Sequence, residues 1–221
     1  ADTPAEARAP LVTRLQKGGK ASYSYALRQY NRVESSSRLD VFGRYEVHKG
    51  LLKALRGQVD KDLLDVARGL LKKRTSSTYP SQVIVLKAFS GRVGDGVTKA
   101  DVVALYTEAT RNKERGVQTW GVRLLVDSGW PEAIDALIMR LREEEDAGRH
   151  LEDLASVLQS ELYRALGATA VGDAGGIKKR WETMGKKVPD EPNYNPEVSG
   201  GGGNTVFFLS LIHISEPTRP R

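Results

Sequence analysis

Residues 91–99 read GRVGDGVTK, a glycine-rich run that ends in Thr-Lys just ahead of a helical stretch. Phosphate cradling by a P-loop needs G-x-x-x-x-G-K-[ST] after a strand, so that successive amides face the phosphates and the lysine reaches them. Here the order is wrong and a helix precedes the run, so it reads as a turn between helices. Of the three histidines, His48, His150 and His213, none has a second histidine one turn away, which argues against a helical zinc pair. The stretch REEEDAGRHLED concentrates Glu143, Glu144, Glu145 and Asp146 and then Glu152 and Asp153. Paired carboxylates do acid–base work when a pocket drives their pKa values apart. At a helix end such a run is expected to be a solvated face. No serine occupies a G-x-S-x-G elbow, and the chain has no cysteine, which removes thiolate ligands, disulfides and cysteine nucleophiles together. The residues therefore point to no enzyme, no cofactor and no metal site.

Binding chemistry is better represented. Tyr23, Tyr25 and Tyr30 alternate with Arg28 and Arg32 in SYSYALRQYNR. Tyrosine interleaved with arginine suits protein or single-stranded nucleic-acid partners, so these five are the candidate contact residues. Trp120, Trp130 and Trp181 are expected to pack between helices, with partner anchoring as the other use of such side chains.

The whole chain has 221 residues with 39% hydrophobic, 7% aromatic and 28% charged content. That suits a helical protein with a modest core and a large surface. No segment approaches the roughly 18–20 unbroken apolar residues of a membrane span. The net charge of +6 is spread among acidic neighbours, whereas a nucleic-acid binder gathers its charge on one face. The opening ADTPAEA suits a mature exported terminus, so a periplasmic or cell-surface setting is favoured over a cytoplasmic one.

The elements that would position these residues are helices. Thr3, Pro4 and Glu6 have the chemistry of a helix start, and Gly18 and Gly19 that of a stop. Residues 1–20 thus form an N-terminal helix or cap. Short helices follow, with Tyr25, Leu27 and Tyr30 buried in the first, then Val41, Tyr45, Leu51, Leu52 and Leu55 at helical spacing. Asp60 caps a helix that buries Leu63, Leu64, Ala67, Leu70 and Leu71; Thr98 with Asp101 resembles a capping pair, and Pro131 sits at a first turn. Aliphatic helices ending in small residues recur around Leu55, Phe89, Leu125 and Leu166, about 34 to 41 residues apart.

That recurrence, and NKERGVQTWGVRLLVDSG with its Val122–Arg123 pair, Leu124, Leu125 and Gly129, resembles a HEAT-repeat, armadillo-like protein over residues 21–185. The other units lack the Val-Arg pair. The resemblance implies an all-α fold, a right-handed α-solenoid of HEAT-like helical hairpins. One hairpin cannot bury its wide apolar face alone, and stacking covers it while producing an extended surface.

After Trp181 the composition changes. Residues 186–204 are rich in proline and glycine and are expected to form a disordered linker, and residues 205–208 to open a further, truncated domain. LSLIHISEPTR at residues 209–219 is identical, over all eleven residues, to one translated frame of a transposon-derived adapter used in DNA library preparation. Residues 209–221 therefore read as adapter, not protein. Helical repeats, an acidic Pro/Gly linker and a strand beginning NTVFF resemble bacterial proteins with a von Willebrand A-type domain, though the D-x-S-x-S metal motif of that family is absent. The expectation is a non-enzymatic protein-interaction scaffold, part of a larger bacterial protein and bound to a protein partner of unknown identity. The alternatives are a nucleic-acid-binding repeat module and the repeat arm of an adhesion protein.

Overall fold

The computed structural model describes residues 18–35, 40–73, 78–149 and 153–189. The expectations for residues 1–17, for the linker and for everything beyond residue 189 lie outside them. Among the described residues the protein is all-helical. Helices α1 (Gly19–Glu34), α2 (Val41–Arg56), α3 (Lys61–Leu71) and α4 (Tyr79–Ala88) make the first half. In the second half come α5 (Lys99–Thr110), α6 (Arg115–Asp127), α7 (Pro131–Asp146), α8 (Asp153–Leu166), a 3₁₀ turn (Gly167–Ala170) and α9 (Ala174–Thr183).

Short polar residues start these helices by taking backbone N–H groups that have no partner within the helix. Asp40 accepts from the Gly43 N–H, Asp60 from Leu63 and Asp173 from Gly176, each at 2.7 Å. Thr98 and Asp101 form a complete capping box at α5, and Pro131 occupies the first turn of α7. Gly18 and Gly19, expected to close a preceding helix, mark where α1 opens. Gly19 has φ +50°, and a β-carbon there would meet the Asp62 carboxylate at 2.7 Å. The run GRVGDGVTK becomes the α4–α5 connection. Gly94 and Val97 exchange backbone hydrogen bonds around Asp95 and Gly96, both at positive φ, which is the two-residue turn that Asp-Gly favours.

Two apolar faces differ from expectation. In α1 the buried residues are Tyr23, Leu27 and Tyr30, at i, i+4 and i+7, and Tyr25 points outward. In α2 the buried positions crowd into the second half at Ala54 and Leu55, with Leu51 and Leu52 partly covered. Val41, Phe42 and Tyr45 in the first half are exposed, Phe42 by 80%. Helix α3 buries the expected Leu63, Leu64, Ala67 and Leu71, with Leu70 partly covered.

Packing follows a simple rule. Beyond its chain neighbours, each odd-numbered helix rests mainly on the next odd-numbered one and each even-numbered helix on the next even-numbered one, with α1 also touching α4. Leu55, Phe89, Leu125 and Leu166, at the C-terminal ends of α2, α4, α6 and α8, are all buried. Charged side chains cross each step between odd-numbered helices. Lys20 pairs with Asp65 at 3.0 Å, Arg68 with Asp101 at 3.1 Å, Arg111 with Glu143, and Glu145 accepts from the Ala174 N–H at 3.0 Å. Exposed pairs of this kind contribute about 0–1 kcal/mol each, so they fix register more than they stabilise. Stability comes from the apolar interior, where Trp181, Tyr106, Phe89 and Ile134 are fully enclosed.

Candidate partner-binding surface

The Tyr/Arg cluster of α1 divides between core and surface. Tyr23 is buried, and its hydroxyl donates to the Asp60 carboxylate at 2.9 Å, tying α1 to the cap of α3. Tyr30 is buried too and its hydroxyl meets Nδ1 of His48 at 2.6 Å. Burial first, and then nearby carboxylates, push both phenols well above their ordinary range. Tyr25, Arg28 and Arg32 remain exposed. Arg28 lines a groove of about 270 Å³ between α1 and α3, together with Lys20, Ser24, Asp65, Gly69 and Lys73. Asn31 borders the same groove, but its side-chain oxygen already accepts from the backbone and hydroxyl of Ser81.

A second surface, on α2, α4 and α6, was not anticipated. Lys87 lies half-buried with its ammonium 3.7 Å from the centre of the Trp120 ring, and the Arg123 guanidinium is 5.8 Å from the same centre. Arg56 donates to the Lys87 carbonyl at 3.3 Å, and Arg92 to the Arg56 carbonyl at 2.7 Å. Two cations thus flank the indole, and Arg56 and Arg92 are linked to them through the Lys87 and Arg56 carbonyls. Burial, followed by the neighbouring charges of Arg56 and Arg123, lowers the pKa of Lys87. His48 is also lowered, by burial and then by Lys87. Among the described residues no carboxylate lies within ion-pairing distance of Arg56, Lys87 or Arg92. Toward α8 the balance returns: Arg123 pairs with Glu161 at 3.2 Å, and Arg164 bridges Glu161 and Asp127, each at 2.6 Å.

The three tryptophans have separate surroundings. Trp181 is enclosed and donates its indole N–H to Asp135 at 3.1 Å, while Trp130 is partly buried with the Lys99 ammonium 5.7 Å from its ring centre. Residues near 48, 56, 87, 92 and 120 lie too far apart in the chain for any local motif to join them. Only the α2–α4–α6 contacts do so.

The acidic run at the end of α7 is not a solvated face. Glu144 is 3% exposed and is held by Arg140 within α7 and by Arg149 at 2.6 Å. Glu143 faces Arg111 and Arg140, and Glu145 reaches the start of α9. Of the four, Asp146 is exposed and meets Arg142 at 3.7 Å. Glu143 and Glu145 therefore join helices, while Glu144 and Asp146 are held locally at the end of α7.

Among the described residues no three His, Cys, Asp or Glu side chains come together as a metal site, and no helix is long and apolar enough to cross a membrane. Protein-family models, curated proteins and solved structures yield no match to this chain.

Proposed function

We propose that this chain is a non-enzymatic protein-interaction scaffold, a solenoid of HEAT-like helical hairpins. The observation that carries the reading is the step pattern: helix on next-but-one helix, from α1 to α9, with charged side chains crossing each odd-numbered step. Arg123–Glu161 and Arg164–Asp127 join α6 to α8 across 38 and 37 residues, close to the spacing of the recurring leucine-rich helix ends. A chain of equivalent steps makes contacts only between near neighbours, and its product is a long surface in place of a single cleft. Val41, Phe42 and Tyr45, grouped on one side of α2, supply an exposed apolar patch of the type that marks protein-binding sites.

The test is retention of proteins from an extract of the source cells on the immobilised chain, before and after nuclease digestion. The scaffold reading expects the same proteins in both cases, and loss of retention when Phe42→Ser and Val41→Thr are combined. Retention that disappears with nuclease would replace it with the nucleic-acid reading.

A further inference from the structure

Arg56, Lys87 and Arg92 present an electrostatic arrangement that folding alone does not explain. A half-buried lysine near the charges of Arg56 and Arg123 destabilises a protein unless something offsets the repulsion, and cation–π contact with Trp120 offsets only part of it. Elsewhere in the molecule several cations, among them Lys20, Arg68, Arg111, Arg140, Arg149, Arg164 and Lys186, have a carboxylate at hand. Arg56, Lys87 and Arg92 have none among the described residues, and they are tied together at adjoining ends of α2 and α4, Arg56 donating to the Lys87 carbonyl and Arg92 to the Arg56 carbonyl. Cations tied together in this way, with one of them half-buried, are the mark of a site whose counter-charge arrives with a ligand.

We propose that the α2–α4–α6 shelf formed by Arg56, Lys87 and Arg92, beside Trp120 and Arg123, binds an acidic peptide segment of a partner protein. The proposal rests on the scaffold reading and names the chemistry of its partner.

Geometry selects this occupant over a nucleic acid. Lys87 covers the face of Trp120, so the indole offers no open platform for a base to stack on. The cationic stretch is also short. At α8 it meets the Glu161–Arg164–Asp127 network, whose carboxylates would repel a continuing row of phosphates. Two or three carboxylates on adjacent residues match the three cations that have no carboxylate among the described residues, Arg56, Lys87 and Arg92, without meeting that network. Guanidinium groups that already donate one N–H to a fixed carbonyl, as Arg56 and Arg92 do, are held in place for the remaining N–H groups to grip a carboxylate.

The test measures fluorescence anisotropy of a fluorescein-labelled hexaglutamate peptide with the full chain at low salt. Saturable binding is expected, weakening steeply as salt rises. Lys87→Met, which keeps a long apolar side chain over Trp120, and Arg92→Gln, at an exposed position, should each weaken it about tenfold. Lys179→Gln on α9 should leave it unchanged. Unaltered circular dichroism and urea midpoints establish that the variants are folded, and Arg92→Gln decides the matter if Lys87→Met is not. The proposal is overturned by absence of saturable binding, by equal weakening in Lys179→Gln, or by tighter binding of a twelve-residue oligothymidylate with the same dependence on Lys87 and Arg92. Intact hexaglutamate binding combined with nuclease-sensitive retention would reject the scaffold reading and leave the acidic-peptide shelf standing.

Discussion

Gly121 of α6 lies so close to Tyr106 of α5 that a β-carbon on the glycine would stand 2.9 Å from the tyrosine carbonyl oxygen. The same β-carbon would meet the Ala109 β-carbon and the Thr110 backbone nitrogen at 3.0 Å. None of these is the end of a flexible side chain, so the helices themselves must separate to make room. Gly121→Ala should lower stability by about 1–3 kcal/mol, the usual cost of overpacking. Gly69 of α3 is the contrast, because a β-carbon there meets nothing within 4 Å. Gly69→Ala should raise stability by about 0.5–1 kcal/mol through helix propensity alone. Urea unfolding at constant slope measures both, and a loss of equal size at the two positions would contradict the close α5–α6 approach.

Asp60 has two duties, accepting from the Leu63 N–H and from the Tyr23 hydroxyl. Asp60→Ala removes both and should cost about 1–2 kcal/mol, at the upper end for a helix cap. Tyr23→Phe leaves the cap in place and removes the hydroxyl, so it should cost less. If the two variants unfold at the same urea concentration, the cap contributes nothing and the Tyr23 link is the whole effect.

Capping was legible in the sequence because its information is local. Asp60, Thr98 with Asp101, and Pro131 each act within three or four residues, the range over which a pattern can be read. The buried faces of α1 and α2 were legible in part: Leu27, Tyr30 and Leu55 are buried as expected, whereas Tyr25, Val41 and Tyr45 are not, because tyrosine and valine suit core and surface alike. Tyr25 and Tyr23 differ by two positions, and only the position of α3 selects Tyr23. The shelf beside Trp120 lay further beyond reach, since its members come from three helices and the α4–α5 connection and span residues 56 to 123. Glu144 shows the same limit from the other side. A run of four acids reads as solvated until Arg140 and Arg149 are seen to enclose one of them.

That enclosure carries a pH signature. The hydrogen bond from Arg149, with the nearby Arg140 charge, holds the Glu144 carboxyl below the ordinary glutamate range against the effect of burial. A carboxyl with a lowered folded-state pKa stabilises the protein above its unfolded value and loses that contribution as pH falls through the folded one. The native chain should therefore lose stability on acidification below the ordinary glutamate pKa of about 4.3. Glu144→Gln should start less stable at neutral pH, by more than Asp146→Asn at its exposed position, and show a shallower acid slope. Parallel acid curves for native chain and Glu144→Gln would rule the carboxylate out as the source.

Tyr30 and His48 supply a second titration, in a separate pH window. The Tyr30 hydroxyl can donate to Nδ1 only while the imidazole is neutral there, and burial together with the nearby Lys87 charge favours that neutral form. Because the folded-state pKa is lowered, the contribution is full above the ordinary histidine value of about 6.5 and declines as pH falls from there toward the folded value. Carboxylates titrate lower, so unfolding midpoints measured between pH 7.5 and 5 isolate the effect. The native chain should weaken across that interval, and His48→Gln should flatten the profile. The same histidine reports on the cationic shelf. An anion that neutralises Lys87 removes one of the charges holding the imidazole neutral, so hexaglutamate should raise the His48 pKa followed by its ring-proton resonance. A His48 titration that hexaglutamate leaves unmoved while anisotropy shows binding would place the peptide elsewhere on the molecule.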